Sequence, residues 1–399
     1  QALCAGAEGL QEAEAIFLRA FNEFLILDNF GVLLRRECGE SFGTPPTTIL
    51  QRAEAVDLII SDLEKIIPDL PEANTPGVAT KNAVRMLLGK LYLNRAVYLA
   101  SGAGNDPQAG PYNFASEDMT RVVELMDDII GTGYYSVDQN YFNNFTPDNT
   151  TASTENIFVS ENTSGAAAGN IRSRWFMTTH YNQNPGGWNG FVALTDLYNL
   201  FEEDDVRRST ELPYLQDNDN GYNAGFLVGQ QITFRRDGET DESFNARVVL
   251  DDNGNPIENP DGSFNAADRT GRPLAYTPEF DLVETDPATL EVTGIRAVKY
   301  PPDFSTPGDA ADNDYVFFRF ADAWLMKAEA ILRGGSSSDD PLSMVNTLRS
   351  ARNASDLSSL TEQDLLDERA RELYWEGWRR NDQIRFNSFL GTWQNKDNP

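Results

Sequence analysis

DYVFFRFADAWLMKAEAILRGG (314–335), PLSMVNTLRSARN (341–353) and TEQDLLDERARELYWEGWRRNDQIRF (361–386) follow one another with short polar links between them. The first run predicts an amphipathic helix stopped by Gly334 and Gly335, and the second a further helix. The third opens on Thr361 with Asp364 three residues on, a capping-box-like start. Within it Asp367–Arg371, Glu368–Arg371 and Glu376–Arg380 stand at spacings where acid and base pair along a helix surface. Leu366, Ala370, Leu373 and Gly377 share a stripe, so the charges are expected to flank a buried seam. Trp324 and Trp375 sit at core spacing. This stretch therefore predicts a helical scaffold rather than chemistry.

ADAWLMKAEA (321–330), NTLRSARNA (346–354) and ERARELYWEGWRRNDQIRF (368–386) resemble the C-terminal signature of SusD/RagB-type glycan-binding lipoproteins. EAEAIFLRAFNEFLILDNFG (12–31), AVDLIISDLEKIIPDLP (55–71) and ATKNAVRMLLGKLYLNRAVY (79–98) resemble the family's N-terminal helices, in the same order. The resemblance implies a mainly α, SusD-like fold in which TPR-like helical hairpins support a loop-rich, short-stranded subdomain. It also implies a non-catalytic outer-membrane protein that passes a polysaccharide or oligosaccharide to a SusC-type TonB-dependent transporter. In that family a lipid-anchor cysteine holds the protein to the membrane. QALC is not a lipoprotein cleavage box, so the signal peptide and anchor are expected to lie in an N-terminal segment missing from this sequence.

Periodicity in the first third agrees. Ile16, Phe17, Ala20, Phe21, Phe24 and Leu27 form one apolar face, which Gly31 stops. Ile49, Ala53, Val56, Ile60, Leu63 and Ile67 form a second, ended by Pro68. A third helix is predicted over about Thr80 to Ala100, and Val122, Met126 and Ile129 mark a fourth before Gly131. From Tyr134 to Thr306 the texture becomes rich in Gly, Pro, Asn, Asp and Thr. ENIFVS, FLVGQQITFR and RVVLDDNGNPIE read as short strands, the last with a turn at Asn253–Gly254. Three regions result: a helical scaffold over 1–135, a loop-rich subdomain over 136–310, and helices completing the scaffold over 311–399.

The 399 residues hold 62 acids against 32 bases, a formal charge of −30, and one histidine. That charge repels phosphate backbones, so no nucleic-acid partner is expected. It favours neutral over anionic polysaccharides, and equally serves solubility in a salty medium. A multi-histidine zinc site is impossible, a Ser–His–acid arrangement would have to use His180, and no P-loop and no G-x-G-x-x-G following a strand are present. Asp217, Asp219 and Asp251–Asn255 resemble pieces of calcium loops but lack the Glu at the twelfth position, so solvated turns are expected and no metal or other cofactor. Cys4 and Cys38 can bond each other or stay reduced. No run approaches membrane-spanning length.

RSRWFMTTHYNQNPGGWN (172–189) is the candidate glycan site. Sugars present flat C–H faces that stack on aromatic rings, and a rim of hydroxyls that planar amides bond. Trp188, His180, Tyr181, Asn182, Asn184, Asn189 and Trp175 are the candidate ligand contacts. Trp175 reads equally as an anchor in the core, whereas Trp188, beside two glycines and an asparagine, is expected to face outward. A neutral glucan, such as the β-glucan laminarin, is the expected ligand. Two other readings are a glycoside hydrolase using a carboxylate pair and a TPR-like protein-interaction scaffold.

Overall fold

A computed structural model describes residues 2–41, 43–100, 108–163, 171–212, 215, 223–279, 283, 285–304 and 311–392. Asp217 and Asp219 lie outside them. Helix α1 (Leu10–Phe30) ends on Gly31, whose φ of 68° closes the last turn through its N–H on Leu27 O. A two-stranded ribbon, β1 (Val32–Arg35) with β2 (Thr48–Gln51), leads into α2 (Arg52–Ile66). Ile49 therefore lies on a strand rather than on the helix expected for it. Helices α3 (Lys81–Leu99, N-capped by Thr80) and α4 (Ser116–Gly131) follow. Each helix packs on its predecessor, and α4 packs on the helix Phe320–Leu332, which meets Pro341–Ala351 and Glu362–Leu373. The scaffold is thus mainly helical and discontinuous in sequence. Cys4 and Cys38 are bonded, with 5.3 Å between their Cα atoms.

The run quoted first divides differently from the sequence reading. Tyr315–Arg319 is a strand, paired antiparallel with β3 (Asn156–Ser160), and the helix begins only at Phe320. Val316 and Val159 pair and pack into a core beneath the loops. The next pair, Phe318 and Phe158, packs into the helical core instead. This ribbon therefore belongs to both cores.

The third run also breaks. Its capping box forms as expected, with Thr361 accepting from Asp364 N–H and Asp364 accepting in return. The helix stops at Leu373, and a turn with Trp375 at φ 63° and Gly377 at φ 89° precedes the helix Arg379–Arg385. Glu376 does not pair with Arg380 on the surface; it turns inward to Lys299 Nζ at 2.6 Å and Arg319 Nη2 at 2.8 Å.

Glu368, Arg371 and Glu376, expected on the surface, are in fact buried, whereas Arg380 is exposed. Arg319 bridges Glu155 (2.9 Å) and Glu372 (2.7 Å), and Arg352 bridges the same two acids at 2.8 and 2.9 Å. Arg207 joins Glu368 (2.6 Å) to Glu372 (2.9 Å). Burial alone would raise the Glu372 carboxyl, but the guanidiniums of Arg352, Arg319 and Arg207 outweigh it and hold it well below the carboxylate range. Removing any member strands a partner in low dielectric, so the network specifies where the C-terminal helices sit against the loops. Of the three expected pairs only Glu368–Arg371 forms, at 2.7 Å; Asp367 instead accepts from Gln363.

Candidate functional site

A single helical turn, Ser173–Phe176, starts the loop. Trp175 drops into the core beneath it with 1% of its surface exposed. Thr178 Oγ1 donates to Ala297 O at 2.8 Å, tying the turn to the strand Arg296–Val298. The chain reverses at Pro185–Gly187 and returns alongside itself: Trp188 N–H donates to Phe176 O, Asn189 to Thr179 O and Gly190 to Met177 O. Only glycine fits the pinch. A Cβ on Gly187 would stand 2.4 Å from Phe176 O, and one on Gly186 2.6 Å from Tyr181 O.

Trp188 emerges from this support 62% exposed, its ring edge-on to Phe176 at 5.0 Å. The Arg172 guanidinium lies over Phe176 at 4.5 Å. Phe191 is 51% exposed, and its ring is 6.3 Å from Trp375, whose indole N–H donates to Arg174 O at 2.9 Å. Trp375, expected on a helix in the core, thus stands half-buried on a turn beside the loop.

The remaining candidates split between surface and support. His180 is fully buried: Nε2 faces Glu291 Oε1 at 2.8 Å, and Nδ1 accepts Asn182 N–H at 3.0 Å. That pattern fixes a neutral imidazole with its proton on Nε2. Burial pulls its pKa below the ordinary value, against the opposite pull of Glu291. Trp175 and His180 therefore cannot reach an external ligand, a correction to their place among the candidate contacts; both hold the loop from behind. Asn182 is half-buried and its amide donates to Ala267 O. Asn189, at φ 55°, gives its amide N–H to Glu291 O at 2.7 Å and receives Arg296 Nε on its oxygen at 2.8 Å. Tyr181 is half-buried between the His180 ring (4.0 Å) and the exposed Arg269 guanidinium (4.8 Å). Asn184 is half-buried, and its amide has no hydrogen-bond partner among the described residues.

Glu291, the carboxylate directly behind the loop, is committed to this frame. Oε1 meets His180 and Arg269 N–H, and Oε2 meets Arg269 Nε at 3.0 Å. Burial would raise its pKa, yet these donors hold it below the ordinary carboxylate value. Sequence reasoning missed Phe191 and Trp375. The available signal was Phe191–Val192, an apolar pair following the glycine turn with no helical or strand periodicity around it. Elsewhere, Asp251 accepts the backbone N–H groups of Asn253 and Asn255, closing the turn expected there.

A family model described as the SusD family matches residues 132–399. The chain belongs to the SusD family. Within it, the starch-binding protein SusD of Bacteroides thetaiotaomicron is 27% identical over 410 residues, covering 96% of this chain and 66% of that protein. The chain thus spans just under two thirds of that SusD. A solved structure holding a xylogluco-oligosaccharide superposes with a TM-score of 0.63 at 18% identity, covering 95% of this chain and 66% of the other. Surface glycan-binding protein A from Bacteroides fluxus superposes with a TM-score of 0.60 at 18% identity, covering 99% and 72%. These likenesses establish a SusD-like fold. Among the described residues no helix is long and apolar enough to cross a membrane.

Proposed function

We propose that this SusD-family chain captures a polysaccharide or oligosaccharide without catalysis, on the surface formed by Trp188, Phe176 and Phe191. The observation that carries the reading is Trp188 itself, 62% exposed on a loop whose next residue, Asn189, is held through both ends of its side-chain amide by Glu291 O and Arg296. An aromatic kept rigid in water is ready to stack on a sugar face, with little ordering left to do on binding. Tyr181, Asn184 and the free edges of Asn182 and Asn189 supply hydroxyl and amide partners around it. Glu291 is buried and fully engaged, so it offers no acid or base to a glycosidic bond.

The ligand fits a neutral glucan, such as the β-glucan laminarin, because the chain carries a charge of −30 and amides stand beside the guanidiniums of Arg172 and Arg269 around the rings. The family reading adds surface exposure at the outer membrane through a lipid anchor, and transfer of the glycan to a SusC-type TonB-dependent transporter. Shallow stacking sites bind weakly one at a time, so contact along a polymer raises retention. Affinity electrophoresis through laminarin tests this: wild type is retarded, and Trp188→Ala migrates about tenfold less retarded. Unchanged retardation of Trp188→Ala sinks the site, and release of reducing ends sinks the non-catalytic reading. Co-purification with the transporter checks the transfer step separately.

A further inference from the structure

A cavity of about 520 Å³ lies between the turn Thr195–Tyr198, the helix Glu362–Leu373 and the helix Arg379–Arg385. Leu197, Leu200, Leu373, Tyr374, Trp375 and Phe389 make its apolar wall, and charged side chains line much of the remainder. Its volume and apolar lining are those of a small-molecule site. Two polar side chains among its lining are not satisfied by the protein. Arg379 is half-buried, forms no ion pair among the described residues, and makes one hydrogen bond, Nη1 to Leu366 O at 2.9 Å. A guanidinium carries five N–H donors and no acceptor. Burial lowers its pKa, with Asp382 and Asp367 opposing from a distance. Gln383, one helical turn on and also half-buried, has a side-chain amide with no partner among the described residues.

This combination selects a ligand chemistry. Asp196 and Asp367 also line the cavity, and Asp367 already accepts from Gln363. The N–H groups left over on Arg379 and on the Gln383 amide call for a carbonyl or carboxylate oxygen, and the guanidinium disfavours a cation beside it. The apolar wall calls for a ring or a branched hydrocarbon. A bare sugar fits poorly, because most of its hydroxyls would be buried against carbon without partners.

We propose that this cavity binds an aromatic or branched acyl group through its carbonyl oxygen, with Arg379 and Gln383 as the donors. The group arrives either as a free carboxylate or as an ester on a glycan. Trp375 is a wall of the cavity and also a neighbour of Phe191, so an esterified glycan lying along Trp188 and Phe191 runs beside that wall. The ester source rests on the glycan-binding reading given above; the free-acid source does not.

The test titrates cinnamate, methyl cinnamate and phenylpropanol into the full chain, following the Trp375 indole N–H resonance, assigned by its loss in Trp375→Phe. Cinnamate, methyl cinnamate or both move the resonance, and phenylpropanol, lacking the carbonyl, binds at least about tenfold more weakly. Arg379→Met lowers the affinity of whichever probe binds by about tenfold. Leu197→Trp, which fills the cavity, abolishes binding, and Gln383→Leu supplies a second variant less exposed to misfolding. In gels of cinnamoylated and saponified laminarin, weaker retention after saponification, cancelled by Arg379→Met, assigns the ester source. Equal retention assigns the free acid. The proposal is overturned if no probe moves the resonance at about 10 mM, or if Leu197→Trp binds like wild type. Loss of all polysaccharide retention with intact binding of cinnamate defeats only the glycan reading.

Discussion

Arg296 Nε donates to the side-chain oxygen of Asn189 at 2.8 Å, and Asn189 is the residue directly after Trp188. The same guanidinium reaches the carbonyls of Thr293, Gly294 and Glu291 and stacks over Tyr276 at 4.4 Å. Arg296 is 1% exposed, so it can influence a ligand only through the loop it holds. Arg296→Met is expected to weaken laminarin retention severalfold while leaving every exposed ring in place. In the Trp188→Ala background the same change should add almost nothing, a non-additivity that a double-mutant cycle reads directly.

Gly187→Ala tests the pinch that returns the chain to Trp188. The added methyl meets two carbonyls and a hydroxyl at 2.4–2.5 Å, so the loop must open. A loss of about 1–3 kcal/mol in urea unfolding is expected, with retention lost alongside. The same substitution at Gly254, where nothing stands within 4 Å, places alanine at φ 83° and should cost stability through backbone strain without affecting retention.

Acid stability should report the buried network. Burial would raise the Glu368 carboxyl, but Arg207, Arg371 and Arg349 depress it to about 2, and Glu329 is likewise depressed to about 2. A depressed carboxyl binds its proton more readily in the unfolded chain. Its contribution is therefore complete above about pH 4.5 and is lost as pH falls towards 2. The melting temperature should drop through that window. Glu368→Gln should flatten the drop and remove about 3 kcal/mol or more at neutral pH, because three guanidiniums lose their shared partner.

The Cys4–Cys38 bond closes a loop of 34 residues around α1 and β1. Replacing both cysteines by serine should cost about 2–4 kcal/mol by releasing that loop in the unfolded state. Calorimetry with and without reductant checks this; wild type in reductant should melt like the double variant.

Much of the scaffold was legible in the sequence because it follows local rules. The apolar face of α1, the stop at Gly31 and the capping box at Thr361 each depend on residues within a few positions. The buried charges were not legible. A Glu–Arg spacing of three or four looks the same on a solvated helix and on one facing Arg207, Arg319 and Glu155 from distant parts of the chain. His180 was misplaced for the same reason. Nothing beside it in sequence announces Glu291, 111 residues away, which takes its Nε2 into the interior. Trp188 was easier, because Pro185, Gly186 and Gly187 force a turn that puts its neighbour outside. Tyr315–Arg319 was misread because a helix follows it without a break, and its aromatic pattern satisfies either period over so few residues.

Glu155 meets Arg352 across 197 positions of chain, and Arg319 across 164. During synthesis at about 5–20 residues per second, Glu155 emerges many seconds before the guanidiniums that neutralise it. Until they arrive, a desolvated carboxylate there is unfavourable, so the loop layer stays hydrated and open. Closure of the loop layer is thereby timed by the last-made helices, which leaves the half-made polypeptide loose until its final third has been synthesised.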